Sequence, residues 1–214
     1  MACPICEKRK AERYCPAKGE KICAVCCGQE REVTIDCPWN CAYLRAARRY
    51  EQEHPKPVPA EEVPFPDLAV RQDLIHERRQ VVSGLGHTIL IYAARQGRGN
   101  ELVDRNAVAA MQALAETYRT LGSGIYYEKP PDEPVAQGLY AELMKFVQEI
   151  QKQEAGGAGR LKDAEVLPLL VFLLRVARAR TNGRPRSRAF LDFLRAQFPK
   201  SAEIETETPK IIVP

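Results

Sequence analysis

Apolar residues recur with helical spacing along the second and larger part of the chain. Leu68, Ile75, Val82 and Ile89 stand seven residues apart, and Leu74, Val81, Leu85 and Tyr92 fill the same side. This spacing predicts one long helix from Asp67 to about Arg95, with Gly84 and Gly86 as its weak point. Val103, Ala107, Ala110, Met111, Leu114, Tyr118 and Leu121 mark a second stripe, which Gly122-Ser123-Gly124 stops. A third follows Pro134 through Val135, Leu139, Leu143, Phe146, Val147 and Ile150, and ends before the glycine-rich stretch 154–159. Leu167 to about Arg180 is apolar nearly all round at its start, the mark of a central buried helix, and Asn182-Gly183 supplies its C-terminal stop. Ser187 can cap a last helix that Pro199 ends. No period of 20 to 50 residues repeats, so a solenoid is not indicated.

The first 50 residues have no such period and carry a different signal. All eight cysteines lie between Cys3 and Cys41, spaced C-x2-C-x8-C-x7-C-x2-C-C-x9-C-x3-C. Cys3, Cys6, Cys23 and Cys26 form a C-x2-C-x16-C-x2-C arrangement typical of zinc sites: each C-x2-C turn directs two sulfurs toward one point, and two turns supply a tetrahedral S4 set. Cys15, Cys27, Cys37 and Cys41 are the remaining four, with Cys37-Pro38-Trp39-Asn40-Cys41 entering a helix. A segment with so few large apolar side chains needs metal to fold. Cys3-Pro4-Ile5-Cys6 also has the form of a redox dithiol, but no βαβ pattern flanks it. An iron–sulfur cluster is the other thiolate chemistry that eight cysteines permit.

The order of pairs, with Arg13-Tyr14-Cys15-Pro16 ahead of Cys23-Ala24-Val25-Cys26 and a final Cys37-x3-Cys41, resembles the HIT and MYND class of cross-brace zinc fingers and, less closely, the B-box. The resemblance implies that Cys3, Cys6, Cys23 and Cys26 hold one zinc and that Cys15, Cys37 and Cys41 belong to a second. Lys18 stands where those fingers have a ligand, and Cys27 is the candidate replacement; Cys37 stands where they usually have histidine. Two Zn2+ are therefore expected, in a module that the resemblance makes a protein-interaction unit rather than a catalyst. It covers residues 3–41 and says nothing of the helical part.

Between the two parts, His54 to Pro66 holds five prolines, which predicts an extended, stiff linker that sets a distance. The expected organisation is a finger over 1–50, a linker over 51–66, a helical bundle over 67–200 and a mobile acidic tail over 201–214. The net charge of +4 divides as +4, −5, +7 and −2 over residues 1–50, 51–159, 160–200 and 201–214. Two zincs on eight thiolates would cancel the first of these, so the basic character that survives is the C-terminal one. There Arg175, Arg178, Arg180, Arg184, Arg186 and Arg188 surround a turn that leads into the helix expected at Ser187. Arg175, Arg178, Arg184, Arg186 and Arg188 are thus candidates for a phosphate or nucleic-acid contact, with help from Arg45, Arg48 and Arg49. The competing reading is a solvated basic edge that pairs with the acidic middle segment. The connection of about seven residues is long for a helix-turn-helix.

Catalysis has no positive sign. His54, His76 and His87 are scattered, HExxH is absent, Gly156, Gly157 and Gly159 make no phosphate loop, and no serine sits in a nucleophile elbow. Glu51-x-x-His54 has the spacing of a di-metal motif without its second copy. The longest apolar run, Val166 to Leu174, is far short of the ~20 residues that span a bilayer. No apolar leader follows Met1, which suggests a reducing cytoplasm and no membrane. Tyr126-Tyr127 could line a groove or pack at a core edge. The reading is a mainly α protein: a small N-terminal two-zinc cross-brace finger joined by a Pro-rich linker to an all-α helical bundle. Its expected role is that of a zinc-binding, non-enzymatic cytosolic interaction or adaptor protein with a protein partner. A nucleic-acid-binding protein using the arginines of 175–195 is the alternative, and a thiol- or metal-responsive regulator the third.

Overall fold

A computed structural model describes residues 1–97, 101–153 and 160–198. The finger opens with a small antiparallel hairpin, β1 (Arg13–Cys15) and β2 (Glu20–Ile22), in which Tyr14 pairs with Lys21. Gly19, at φ +71°, makes the reversal between the strands. Two helices follow, α1 (Ala24–Glu30) and α2 (Ala42–Glu53). The finger core is built from seven of the cysteines with Ile22, Ile35 and Leu44, and the half-buried Cys6 packs against it. Three large apolar side chains cannot fold such a segment alone, so thiol clustering is its organising force.

The bundle comprises α3 (Gln72–Glu77), α4 (Arg79–Arg95), α5 (Asp104–Gly122), α6 (Pro134–Gln153), α7 (Asp163–Arg180) and α8 (Ala189–Gln197). α5 packs on α7 and α6, α4 lies across α6, and α8 closes the end against α4 and α7. α7 is the central helix that its sequence announces: Val166, Leu169, Leu170, Val171, Leu173, Leu174 and Ala177 are all buried. Its second turn contains Pro168, which removes one i→i−4 bond without stopping it.

The expected helix from Asp67 to Arg95 is two helices. The chain starts helical only at Gln72 and breaks at Arg78 (φ −99°, ψ 22°). The break lets the Arg78 guanidinium reach Glu165 at 3.0 Å and the Arg160 carbonyl at 3.2 Å, tying α4 to the start of α7. Gly84 and Gly86 do not weaken α4. A Cβ at Gly84 would lie 2.2 Å from the Phe146 ring of α6, and one at Gly138 of α6 would lie 2.3 Å from the Tyr92 hydroxyl of α4. Each helix thus gives a glycine to the other's aromatic ring, and Tyr92 donates to the Val135 carbonyl at 2.9 Å.

The linker is exposed over most of its length, but its end is seated on the bundle. After a 3-10 turn at Ala60–Glu62, Phe65 enters the bundle core, 7% exposed, with φ +51°. A bulky side chain in that conformation is strained, and Arg175 holds it there. Its guanidinium donates to the carbonyls of Pro64 (3.0 Å), Phe65 and Leu68 (3.0 Å). The proposed tail, the glycine-rich stretch 154–159 and Pro199 lie outside the described residues. Among the described residues no helix is long and apolar enough to cross a membrane.

Candidate metal centre

The Cys3-Pro4-Ile5-Cys6 turn closes on itself: Glu7 N–H donates to the Cys3 carbonyl and Cys3 N–H to the Arg9 carbonyl, each at 2.7 Å. Glu7 takes a left-handed φ of +54° to make this possible. The loop then aims the amides of Lys8 and Arg9 at the Cys6 sulfur, and these hold the thiol down at about 6. The second pair sits at the start of α1. Cys23 is its N-cap, its sulfur accepting the Cys26 N–H at 3.4 Å, and Cys26 stands on the first turn. Cys23 N–H in turn donates to the Cys3 sulfur at 3.2 Å.

These two turns bring the sulfurs of Cys3, Cys6, Cys23 and Cys26 within 4.8 Å of one another. Cys6 and Cys23 are 3.9 Å apart. A tetrahedron with metal–sulfur bonds of about 2.3 Å has edges of about 3.8 Å, so the Cys6–Cys23 spacing already fits an S4 metal site and the whole set lies within about 1 Å of that size. Three of the four are buried and Cys6 is half-buried. Burial pushes the Cys26 thiol up to about 12. It also works to raise Cys3, but the amides of Cys23, Cys6 and Ile5 outweigh it and leave that thiol below its ordinary value. All eight cysteines are free thiols. The four can hold a metal ion.

Cys15, Cys27, Cys37 and Cys41 are buried in the same finger core, at 8 or 9% exposure each. Burial pushes the Cys37 thiol up to about 11, with the neighbouring Cys41 and Cys15 adding to the shift. Cys27 follows Cys26 on α1, and Cys41 is the N-cap of α2. Among the described residues, these four do not form a group of donors within 4.8 Å as the first four do.

The C-terminal arginines are placed differently from a phosphate site. Arg175 clamps the linker, as described. Arg184 donates to the carbonyls of Gly28 (2.9 Å) and Arg31 in the finger. Arg188 pairs with Asp36 at 2.8 Å and with Glu101. Arg186 is half-exposed, 3.8 Å from Asp36, and its N–H donates to the Glu32 carbonyl at 2.9 Å. Arg178 is exposed, and Arg180 lies over the Phe193 ring. The N-terminus of α8 already holds an anion, the carboxylate of Asp104 on α5. It accepts the Ser187 hydroxyl (2.7 Å) and the amides of Phe190 (3.2 Å) and Leu191 (3.4 Å). Asp104 is 1% exposed, and burial raises its pKa against those three donors. Ser187 accepts the Ala189 amide at 3.3 Å, so the expected cap is shared between Ser187 and Asp104.

The sequence reading missed Glu32. It is 2% exposed, at φ +54°, and its carboxylate accepts from Arg48 of α2, from Asn182 at 3.1 Å and from the Arg188 amide at 3.2 Å. Arg48 also bonds Glu51 at 3.1 Å and lies 3.5 Å from Asp192 of α8. One carboxylate thus joins α2 of the finger to the turn before α8 of the bundle, and no spacing in the sequence marks it. Comparison with protein-family models, with curated proteins and with solved structures finds no match to this chain. The fold and the centre define it as a mainly α protein with an N-terminal tetracysteine metal module.

Proposed function

We propose that this chain is a zinc-stabilised, non-enzymatic interaction protein of the cytoplasm, working as an adaptor for a protein partner. The observation that carries the reading is the S4 set of Cys3, Cys6, Cys23 and Cys26, gathered by two tight turns and walled in by the finger core. A closed four-sulfur set leaves no open coordination position for a substrate, which is the arrangement of structural rather than catalytic zinc. A second zinc on Cys15, Cys27, Cys37 and Cys41 would complete the cross-brace of the fingers it resembles. Support for a protein-docking role comes from the α5–α6 loop. Ile125, Tyr126 and Tyr127 stand 64%, 64% and 59% exposed in succession, and large apolar side chains grouped on a surface mark interaction sites.

Metal analysis of the full chain tests the zinc reading: at least one tightly held zinc is expected, lost in Cys3→Ser/Cys23→Ser. Chain that folds and stays reduced without any metal overturns it. For the adaptor role, affinity isolation with nuclease present should retain a specific protein that Ile125→Ser/Tyr127→Ser releases. Recovery that vanishes with nuclease, or that the double variant leaves unchanged, rejects it.

A further inference from the structure

The finger is more basic on its outside than its composition states. It contains ten Lys/Arg and six Asp/Glu over residues 1–50. Two of the six acids, Glu32 and Asp36, are turned to the bundle and paired with Arg48, Arg186 and Arg188. What remains is Glu7, Glu12, Glu20 and Glu30 against nine cations besides the buried Arg48, with two further acids, Glu51 and Glu53, on the last turn of α2.

These cations meet aromatic side chains on α2. Leu44 and Arg48 are its buried line, so at about 100° per residue the opposite arc faces solvent. Arg45 and Arg49, one turn apart and exposed, form one edge of that arc. Ala42 and Ala46 are the small residues between, exposed Glu53 closes the C-terminal end of the arc one turn beyond Arg49, and Tyr43 and Tyr50, two turns apart, form the other edge. The Arg13 guanidinium lies 4.8 Å from the Tyr43 ring centroid, and Tyr50, 63% exposed, stacks on His54 at 4.2 Å and 22°. Among the described residues, Arg45 and Arg49 form no ion pair. They contrast with the C-terminal arginines, most of which are bonded within the chain.

We propose that this face of α2 binds single-stranded nucleic acid, with phosphates on Arg45 and Arg49 and bases stacked on the Tyr50–His54 and Tyr43–Arg13 pairs. Two guanidiniums about 6 Å apart along the axis suit neighbouring phosphates of one strand. Flat aromatic faces across a low alanine floor suit unpaired bases, which an acidic protein would not need. This goes beyond the adaptor reading and uses a different surface from the Ile125–Tyr127 loop.

Fluorescence anisotropy with the full zinc-loaded chain and labelled 12-nucleotide single strands tests it, with RNA and DNA as separate arms. Wild type should bind at least one of them, with affinity falling as salt rises. Arg45→Gln/Arg49→Gln should weaken binding about tenfold or more and flatten the log–log salt slope by about 1.4, two phosphates' worth. Tyr50→Ala should weaken it about tenfold with the slope unchanged. Lys145→Gln, exposed on α6, should change neither. Zinc content and circular dichroism matched to wild type show that each variant is folded. No binding to either strand in 50 mM salt overturns the proposal, as does indifference to the double arginine variant. Polyglutamate binding as tightly as the strands, and unaffected by Tyr50→Ala, overturns it in favour of an acidic protein.

Discussion

At the scale of single residues, the metal centre divides its thiols by their local donors. Cys6, with two amides pointed at its sulfur, is held down at about 6 and is largely thiolate at pH 7 before any metal arrives. Cys26, buried, is pushed up to about 12 and keeps its proton until a metal displaces it. Zinc uptake at pH 7 is therefore expected to release protons, that of Cys26 among them, and affinity should rise with pH because metal and proton compete for sulfur. Below about pH 6, where Cys6 also protonates, the dependence should steepen. Calorimetry in buffers of different ionisation enthalpy counts the protons; uptake without proton release would contradict the assignment. These four ligands were legible in the sequence because a C-x2-C turn is a local device whose geometry needs no tertiary context. Glu32 was not legible, since a buried carboxylate is defined by partners 16 and 150 or more residues away.

At the scale of elements, the apolar period located the bundle helices well where nothing long-range intervened. The stripe from Val103 to Leu121 is α5, Asp104–Gly122, and Pro134 begins α6 as its fixed φ favours. The break at Arg78 escaped because the apolar period runs through it; it is tied to a partner 87 residues away, Glu165, that no local pattern marks. Gly84 and Gly86 read as flaws for the same reason: propensity sees the missing side chain but not the ring that takes its place. This gives a sign-reversal test. Gly84→Ala alone should destabilise the protein by about 1–3 kcal/mol, because the Phe146 ring must leave its seat. In a Phe146→Ala background the same change should stabilise by up to about 1 kcal/mol, from helix propensity. Denaturant midpoints of the four proteins check it, and a Gly84→Ala that stabilises in both backgrounds rejects the packing account.

At the scale of the whole molecule, the chief difference from expectation is that finger and bundle are docked. The prolines between them suggested a spacer, yet Phe65 and the Arg175 clamp fasten the linker down, while Arg184, Arg188 and Asn182 reach into the finger. Composition showed the opposed charges of these segments and not which pairs would meet. Glu32→Ala should leave Arg48 with a buried charge short of its main partner and cost about 3–5 kcal/mol. Hydrogen exchange should then quicken together in α2 and in the turn 182–188. Faster exchange in α2 alone would mean that Glu32 serves the finger only.

The same carboxylate bears on how this module could have been inherited or reused. Zinc fingers are often treated as cassettes, cut at a linker and moved to a new host. Here the cut would strand Glu32, at 2% exposure and a left-handed φ, without Asn182 and the Arg188 amide, and would leave Asp36 without its arginines. A transplant of residues 1–54 would carry its cysteine cluster intact and still be an incomplete part, one whose missing piece is the turn before α8.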